Sequence, residues 1–345
     1  MLTERQQQIL QIVVEHYISE AEPVGSRMVS KRGGMPYSPA TIRNEMADLE
    51  EMGYLEQPHT SAGRIPSEKG YRYYVDRLVQ PTPISWQKVR ELKQLLSEKM
   101  VHTEQSMQQT AEILSNVTNY TTFVLGPEAY HASLKSLQLI PITDETAVVI
   151  IVTNTGHVEH HKITIPDGIP RNEMERLVNL LNAKLYQVPL VQLKSRLRQE
   201  IADEIRRHLT AYEAWMNFLE SLLAVRKSAE RVYLSGTAKI LSHPEFQDVN
   251  KVRALFEWLE NQEALVSLLE DSRAGIQVHI GQENKVEAMN ECSLITFSHI
   301  VNGTLFGTIG ILGPTRMHYN KVIGLLTTLS GDLTNLFQRW YQAGA

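Results

Sequence analysis

The stretch that most constrains the fold lies near the N-terminus, where residues 38–46 read SPATIRNEM. Serine followed by proline is typical of a helix start, because serine caps free N–H groups and proline at the first helical position loses no hydrogen bond. Behind this start, Ile42, Met46 and Leu49 recur at the spacing of one helical face. The sequence therefore predicts a helix over residues 38–52 that packs by one face and leaves the other free.

The free face suits nucleic acid only at its N-terminal end. Basic residues occur without any acidic one between positions 26 and 43, and acidic residues follow at Glu45, Asp48, Glu50 and Glu51. Thr41, Arg43 and Asn44 are candidates for base contacts, because arginine pairs with guanine, asparagine pairs with adenine, and threonine offers a hydroxyl and a methyl group. The alternative is an ordinary amphipathic helix with a solvated outer face.

The flanking segments favour a helix-turn-helix unit. Thr3 and Gln6 form a capping box before an apolar stripe over residues 9–17, and a short helix fits residues 25–31 before Gly33 and Gly34. Three helices in about 50 residues match the size and order of that motif. Downstream, residues 54–57 and 64–66 are predicted to pair as the two strands of a wing.

Basic residues continue past this hairpin. Arg64 lies beside Gly63 at a predicted turn, where little hydrophobic core is available for its side chain to pack against. We therefore expect Arg64 to contact a phosphate group or the minor groove of DNA. Tyr74, in contrast, is expected to pack its helix against the first three helices. The residues predicted to contact DNA are Arg27, Ser38, Ala40, Thr41, Arg43, Asn44, Arg64, Lys69 and Arg72.

Composition limits the other functions that are open to the chain. The chain has 345 residues, 42% of them hydrophobic, and a net charge of −5, so DNA binding has to be local rather than an indiscriminate coating. The single Cys292 excludes an internal disulfide and a multi-cysteine zinc site. The sequence has no signal-like N-terminus and no apolar run of about 18 residues, so we expect a cytoplasmic protein without a membrane span.

No enzymatic constellation is found in the sequence. His157 and His161 would share one face of a strand about 13 Å apart, while His160 would point the other way, so one metal ion cannot bind all three. The sequence contains neither a nucleophile elbow nor a P-loop. We therefore predict no catalytic residues, no metal and no cofactor.

The remaining 265 residues alternate between helical and strand patterns. After a stiff break at residues 81–83, an apolar stripe over residues 89–117 predicts one long helix, which packs either on its own sheet or on a partner chain. The predicted strands are 134–140, 146–153, 157–165, 232–235, 293–301 and 304–312, with Asn302-Gly303 as the strongest hairpin signal. The further predicted helices are 172–186, 195–225, 252–259 and 319–341.

Several of these motifs together resemble the HrcA family of heat-inducible transcription repressors. The matching motifs are PVGS (23–26), SPATIRNEM (38–46), LE (49–50), GYL (53–55), GRIP (63–66), GYR (70–72) and GTIGILGP (307–314). The resemblance implies a dimeric α/β repressor with a winged-helix domain at 1–80, a GAF-like domain at 81–167 and 272–345, and an inserted, mainly helical dimerisation domain at 168–271. It further implies that the protein binds a double-stranded DNA operator, an inverted repeat of the CIRCE type that lies ahead of chaperone operons. The resemblance also implies the GroE chaperonin as a partner.

Two other functions stay open at this stage. A regulator of similar architecture could sense a small ligand through residues 81–345. A winged helix could instead serve as a protein or RNA interaction module, which predicts no preference among duplex DNA sequences. A repressor would act by steric occlusion of a promoter, and two-fold protein symmetry would match an inverted repeat.

Overall fold

The structure is a computed structural model with mixed α/β architecture, in which helices surround three antiparallel sheets among the described residues. Within that part of the chain, every helix is too short or too polar to cross a membrane. The described residues are 2–32, 34, 36–59, 63–82, 85–98, 103–126, 133–143, 145–154, 158–165, 171–188, 193–196, 232–270, 273–301 and 304–343.

The N-terminal unit consists of four helices and a two-stranded hairpin. Its elements are α1 (Glu4–Glu20), α2 (Ser26–Arg32), α3 (Pro39–Glu51), β1 (Leu55–Glu56), β2 (Ile65–Pro66) and α4 (Glu68–Tyr73), which continues as a π-helical turn (Tyr74–Leu78). The capping box of Thr3 and Gln6 and the N-cap at Ser38 are both confirmed. The hairpin is also confirmed, with Leu55 opposite Pro66.

One apolar core holds these helices together. Ile9 and Leu10 of α1, Ile42 and Leu49 of α3, and Tyr74 are almost completely buried. Burial of each such aliphatic side chain contributes about 1.5–3 kcal/mol relative to an exposed position. The expected packing role of Tyr74 is therefore confirmed, and α3 is anchored by the face that its spacing predicted.

The central sheet has five strands in the order β7-β3-β10-β9-β8. These are β3 (Thr121–Leu125), β7 (Val232–Ser235), β8 (Gly275–Ile280), β9 (Cys292–Val301) and β10 (Thr304–Pro314). Strands β9 and β10 pair as the predicted hairpin. Because side chains alternate along a strand, Val124 faces the core that includes α11 (Tyr319–Ala343), whereas Phe123 faces α9 (Val249–Glu260) and α10 (Gln262–Glu270).

The prediction of one long helix over residues 89–117 is wrong. The structure has two helices, α5 (Trp86–Glu98) and α6 (Thr103–Thr118), which pack against each other and against α11. Two successive segments of one straight helix cannot make such contacts, because the rise of 1.5 Å per residue separates them. A continuous apolar stripe cannot reveal this packing, since both helices use the same spacing.

A separate three-stranded sheet lies between β3 and β7 in the chain. It contains β4 (Leu134–Pro141), β5 (Thr146–Thr153) and β6 (Val158–Thr164), and α7 (Arg171–Leu185) packs against β4. A short helix, α8 (Leu193–Arg196), follows, and most of the predicted helix 195–225 lies outside the described residues.

Strand pairing differs from the expected grouping of these segments. The expected domain boundaries place β4–β6 with the C-terminal hairpin and β7 in the insertion. In the structure β7 pairs with β3, and Val232 lies opposite Leu125. In the described residues no strand of the three-stranded sheet pairs with the central sheet. Periodicity identifies a strand but not its neighbour, which explains the difference.

The N-terminal unit is attached to the central sheet by polar and aromatic contacts. The rings of Tyr71 and Tyr319 lie 6.0 Å apart, and Arg72 donates to the Val278 carbonyl over 2.6 Å and to the Glu283 carboxylate. Burial raises the pKa of both tyrosines, so they are neutral at physiological pH. The position of α3 relative to the rest of the molecule is therefore set by specific contacts.

Candidate nucleic-acid interface

The first turn of α3 presents the residues that were predicted to read bases. The Ser38 hydroxyl accepts a hydrogen bond from the Thr41 N–H at 3.1 Å and lies 3.0 Å from the Thr41 hydroxyl. Ala40, Arg43 and Asn44 are exposed, whereas Thr41 is half-buried. The cap thus engages two of the predicted side chains, and Arg43 and Asn44 remain the accessible pair with hydrogen-bonding groups.

The acidic second half of α3 is partly neutralised inside the N-terminal unit. Glu45 accepts a hydrogen bond from Arg5 at 2.8 Å, and the Arg5 guanidinium lies 4.3 Å from the centre of the Tyr37 ring. Hydrogen bonding to Tyr37 and then to Glu45 raises the pKa of Arg5. Asp48 and Glu51 are exposed, so the helix keeps negative charge at the end away from its cap.

Three arginines meet in a cleft of about 360 Å³ beside the exposed face of α3. None of the described residues that line this cleft is acidic. The lining residues are Val24, Gly25, Ser26, Arg27, Arg43, Met46, Gly63 and Arg64. The sequence had placed these arginines on separate elements, and the structure brings them to one concave surface. Gly25 and Ser26 were not predicted as site residues, although the PVGS motif contains them.

The backbone explains why the hairpin closes this cleft. Val24 and Arg64 exchange two backbone hydrogen bonds of 2.8 Å, which join the start of β2 to the segment before α2. A Cβ atom at Gly63 would collide with the backbone of Val24. Glycine at position 63 therefore permits the close approach that sets Arg64 next to Arg27 and Arg43.

Arg64 has an intramolecular partner, contrary to the expectation that its side chain has little to pack against in the protein. Its Nε and Nη2 atoms each lie 2.7 Å from the same carboxylate oxygen of Glu50, and its side chain is only 21% exposed. Arg64, the residue before β2, reaches Glu50 in the C-terminal half of α3, a contact that sequence spacing does not reveal. A contact between Arg64 and DNA stays a prediction, but the arginine would be shared with Glu50.

Lys69 and Arg72 both have structural contacts. Lys69 donates to the Met52 carbonyl at 2.7 Å, where α3 ends, and its ammonium lies 4.5 Å from the centre of the Tyr54 ring. The Arg72 guanidinium donates hydrogen bonds to Glu283, Val278 and Asp76, and the first two contacts attach the N-terminal unit to the central sheet. A contact between Arg72 and DNA stays a prediction.

The remaining candidate groups are the histidines of residues 157–161 and the single cysteine. In the part of the chain that the structure describes, no three side chains of His, Cys, Asp or Glu are grouped to hold a metal ion. His157 lies outside the described residues, and His160 is exposed on β6. Burial raises the pKa of the Cys292 thiol to about 12, so this cysteine is a protonated core residue.

Comparison with known proteins places the chain in a family. Residues 104–323 match the family model described as HrcA protein C terminal domain. The chain is 51% identical over 342 residues to a protein of Brevibacillus brevis named Heat-inducible transcription repressor HrcA, covering 99% of this chain and 100% of that protein. Proteins of the same name from Oceanobacillus iheyensis and Halalkalibacterium halodurans are 46% and 47% identical, with 99% of each chain covered.

A solved structure shares the fold. The crystal structure of a hypothetical protein at 2.2 Å resolution superposes with a TM-score of 0.64 at 23% identity, and the match covers 99% of this chain and 100% of that one. At that identity the match supports the architecture alone. The family model and the curated relatives together show that this chain belongs to the HrcA family of transcription repressors.

Proposed function

We propose that this chain is a heat-inducible repressor that binds an inverted-repeat operator of the CIRCE type as a homodimer. The carrying observation is that the capped, exposed start of α3 lies against a cleft lined by three arginines and by no acidic residue among those described. Such a surface supplies both groups that read bases and groups that bind phosphate. The names of the curated relatives support the same function.

In this proposal the two sets of side chains have different roles. Arg43 and Asn44 enter the major groove and contact base edges, with Thr41 and Ala40 on the same turn available for methyl contacts. Arg27 and Arg64 bind the adjacent phosphates from the cleft, and Ser38 holds the helix start in place. Lys69, which donates to the Met52 carbonyl at the end of α3, would be a further phosphate contact.

We also propose a revised division into domains. The N-terminal unit, residues 1–80, serves as the winged helix, and the five-stranded sheet with its covering helices serves as the GAF-like domain. The segment between β3 and β7, which carries the three-stranded sheet, is then the insertion, and it is the proposed dimerisation element. Dimerisation matters because one module on a chain of net charge −5 would bind weakly, whereas two modules add their contacts on one operator. GroE would act as a partner that sets how much repressor is active.

Selection of bound sequences from random duplex DNA by the full-length protein tests this function. We expect an inverted repeat, followed by steep loss of affinity in a salt titration on the selected duplex, because each phosphate contact releases counterions. A selected pool without an inverted repeat would contradict the proposal. A pool without any sequence preference would favour a protein or RNA interaction module.

Two arginine variants separate base reading from phosphate binding. Arg43→Ala should relax the choice at one base position and cost about 1–3 kcal/mol in operator affinity. Arg64→Ala should weaken all duplexes alike and reduce the slope of log affinity against log salt by about one unit.

Arg253→Ala, at an exposed position on α9, is the matched control and should leave both properties unchanged. Circular dichroism of each variant establishes whether it is folded. If Arg43→Ala is folded and reads the operator as the wild type does, Arg43 is not a base-reading residue.

A further inference from the structure

A cavity of about 590 Å³ lies outside the proposed DNA interface, between the N-terminal unit and the central-sheet domain. Its walls come from the end of α1, the turn between α6 and β3, the loop after β10 and the first turns of α11. The volume lies within the range of small-molecule sites, which is about 300–1,000 Å³. Ile18, Val117, Val322 and Leu325 provide an apolar part of its lining.

The polar part of the lining is basic. Arg316, His318, Lys321 and His243 all line the cavity, and no acidic side chain is among its described lining residues. Arg316 is already paired with Glu245 and donates to the Ile18 carbonyl at 3.3 Å. Lys321 has no ion pair with any described residue, so its ammonium is the charge that is open to a ligand.

Two of the lining residues are histidines whose surroundings disfavour a positive charge on the ring. The His243 ring stacks on Tyr120 at 5.6 Å, and its Nε2 atom is buried without a hydrogen-bond partner among the described residues. Burial lowers the pKa of His243, although the nearby Glu245 carboxylate opposes the shift. Burial also lowers the pKa of His318, and Lys321, Arg316 and His243 add repulsion to it. An anion in the cavity would relieve this repulsion.

We propose that the cavity is a binding site for a small organic anion, a carboxylate with an apolar body. The carboxylate would pair with Lys321 next to His318, and the body would lie against Tyr120 and the aliphatic side chains. Such a division between a few polar groups and an apolar lining is the usual composition of a small-molecule site.

An occupant would touch both halves of the molecule. Ile18 and Ser19 belong to α1, which packs on α3, whereas Lys321 and Leu325 belong to α11. A ligand bound between them changes the contacts that position the proposed reading helix. The anion would therefore modulate operator affinity, and this second step rests on the proposed function.

Isothermal titration calorimetry on the full-length protein without DNA tests the site itself. The probes are benzoate, its neutral analogue benzamide, and inorganic sulfate. We expect saturable binding of benzoate at one site per chain, and no comparable binding of benzamide or sulfate, which lack the charge or the apolar body.

Lys321→Gln should weaken benzoate binding by about tenfold, the size of one charge-assisted hydrogen bond. Lys135→Gln, at an exposed position on β4, is the matched control and should bind benzoate as the wild type does. A Kd for benzoate above about 10 mM, equal binding of benzamide, or unchanged binding by a folded Lys321→Gln variant would overturn the proposal.

Operator titrations with and without saturating benzoate test the second step. We expect the operator affinity of the wild type to change by about fivefold or more, the lower end of typical coupling free energies, while that of Lys321→Gln stays constant. If benzoate binds but the operator affinity does not change, the coupling is refuted and the site stands. A protein that binds no operator under any condition contradicts the proposed function instead, and leaves the calorimetric result valid.

Discussion

The contact between Arg72 and Glu283 gives the sharpest test of how the N-terminal unit is held. These residues are 211 positions apart in sequence, and the Arg72 Nε atom lies 2.9 Å from one carboxylate oxygen while Nη2 donates to the other. Nη2 also donates to the Val278 carbonyl at 2.6 Å. Arg72→Met removes this fork and keeps most of the aliphatic stem.

The expected magnitude follows from geometry and exposure. A hydrogen bond to a charged group contributes about 1.5–3 kcal/mol when well shielded, whereas exposed ion pairs contribute about 0–1 kcal/mol. The Arg72 and Glu283 side chains are 28% and 41% exposed, so the pair lies between these cases. We expect a coupling free energy of about 1 kcal/mol between the two side chains, after solvent screening is included.

A double-mutant cycle measures this coupling. The free energy of unfolding is determined by urea denaturation for the wild type, Arg72→Met, Glu283→Gln and the double variant, and hydrogen exchange of α1 and α4 reports whether the N-terminal unit loosens first. A coupling below about 0.3 kcal/mol, within the error of additivity, would refute the reasoning that this pair fastens the two units.

The same pair predicts a pH dependence with a definite sign. Burial alone would raise the pKa of Glu283, but hydrogen bonds from Arg72 and from the Ile280 N–H outweigh it and hold the pKa below its usual 4.5. A carboxyl group with a lowered pKa adds stability above its unfolded-state pKa, and that stability disappears as the pH falls through the folded-state value. The coupling should therefore persist at neutral pH and vanish in acid, and Glu283→Gln should remove this part of the acid sensitivity.

Three further predictions concern the local structure. Ser38→Ala should lower the free energy of unfolding by about 1 kcal/mol through loss of the N-cap, whereas Ser38→Asp should preserve it, as measured by urea denaturation. Gly310→Ala should cost about 1–3 kcal/mol in the same assay, because a Cβ there would overlap the buried Phe123 ring; Gly331→Ala, with open space at its Cβ, is the control and should not destabilise. Cys292 should react with a thiol reagent only on unfolding, because it is buried and its pKa is about 12; fast labelling of the native protein would contradict this assignment.

Local structural features could be predicted from the sequence. The cap at Ser38, the capping box of Thr3 and Gln6, and the hairpin of β9 and β10 each depend on a few consecutive positions, and all are confirmed. Pairings between distant segments could not be predicted. Strand β7 lies beside β3, and Arg72 meets Glu283, because tertiary packing brings them together, and no local pattern records that packing.

The pairing of Arg64 with Glu50 changes how the acidic half of α3 is understood. As a sequence, Glu45 and Glu50 suggest a helix that would repel phosphate beyond its first turn. In the structure Glu45 pairs with Arg5 and Glu50 pairs with Arg64, so part of the negative charge of α3 is neutralised within the N-terminal unit. Arg64 is thereby held at the cleft with Arg27 and Arg43, at a fixed position relative to α3. A chain of net charge −5 can thus present a basic concave surface, and Glu50 positions one of the three arginines that form it.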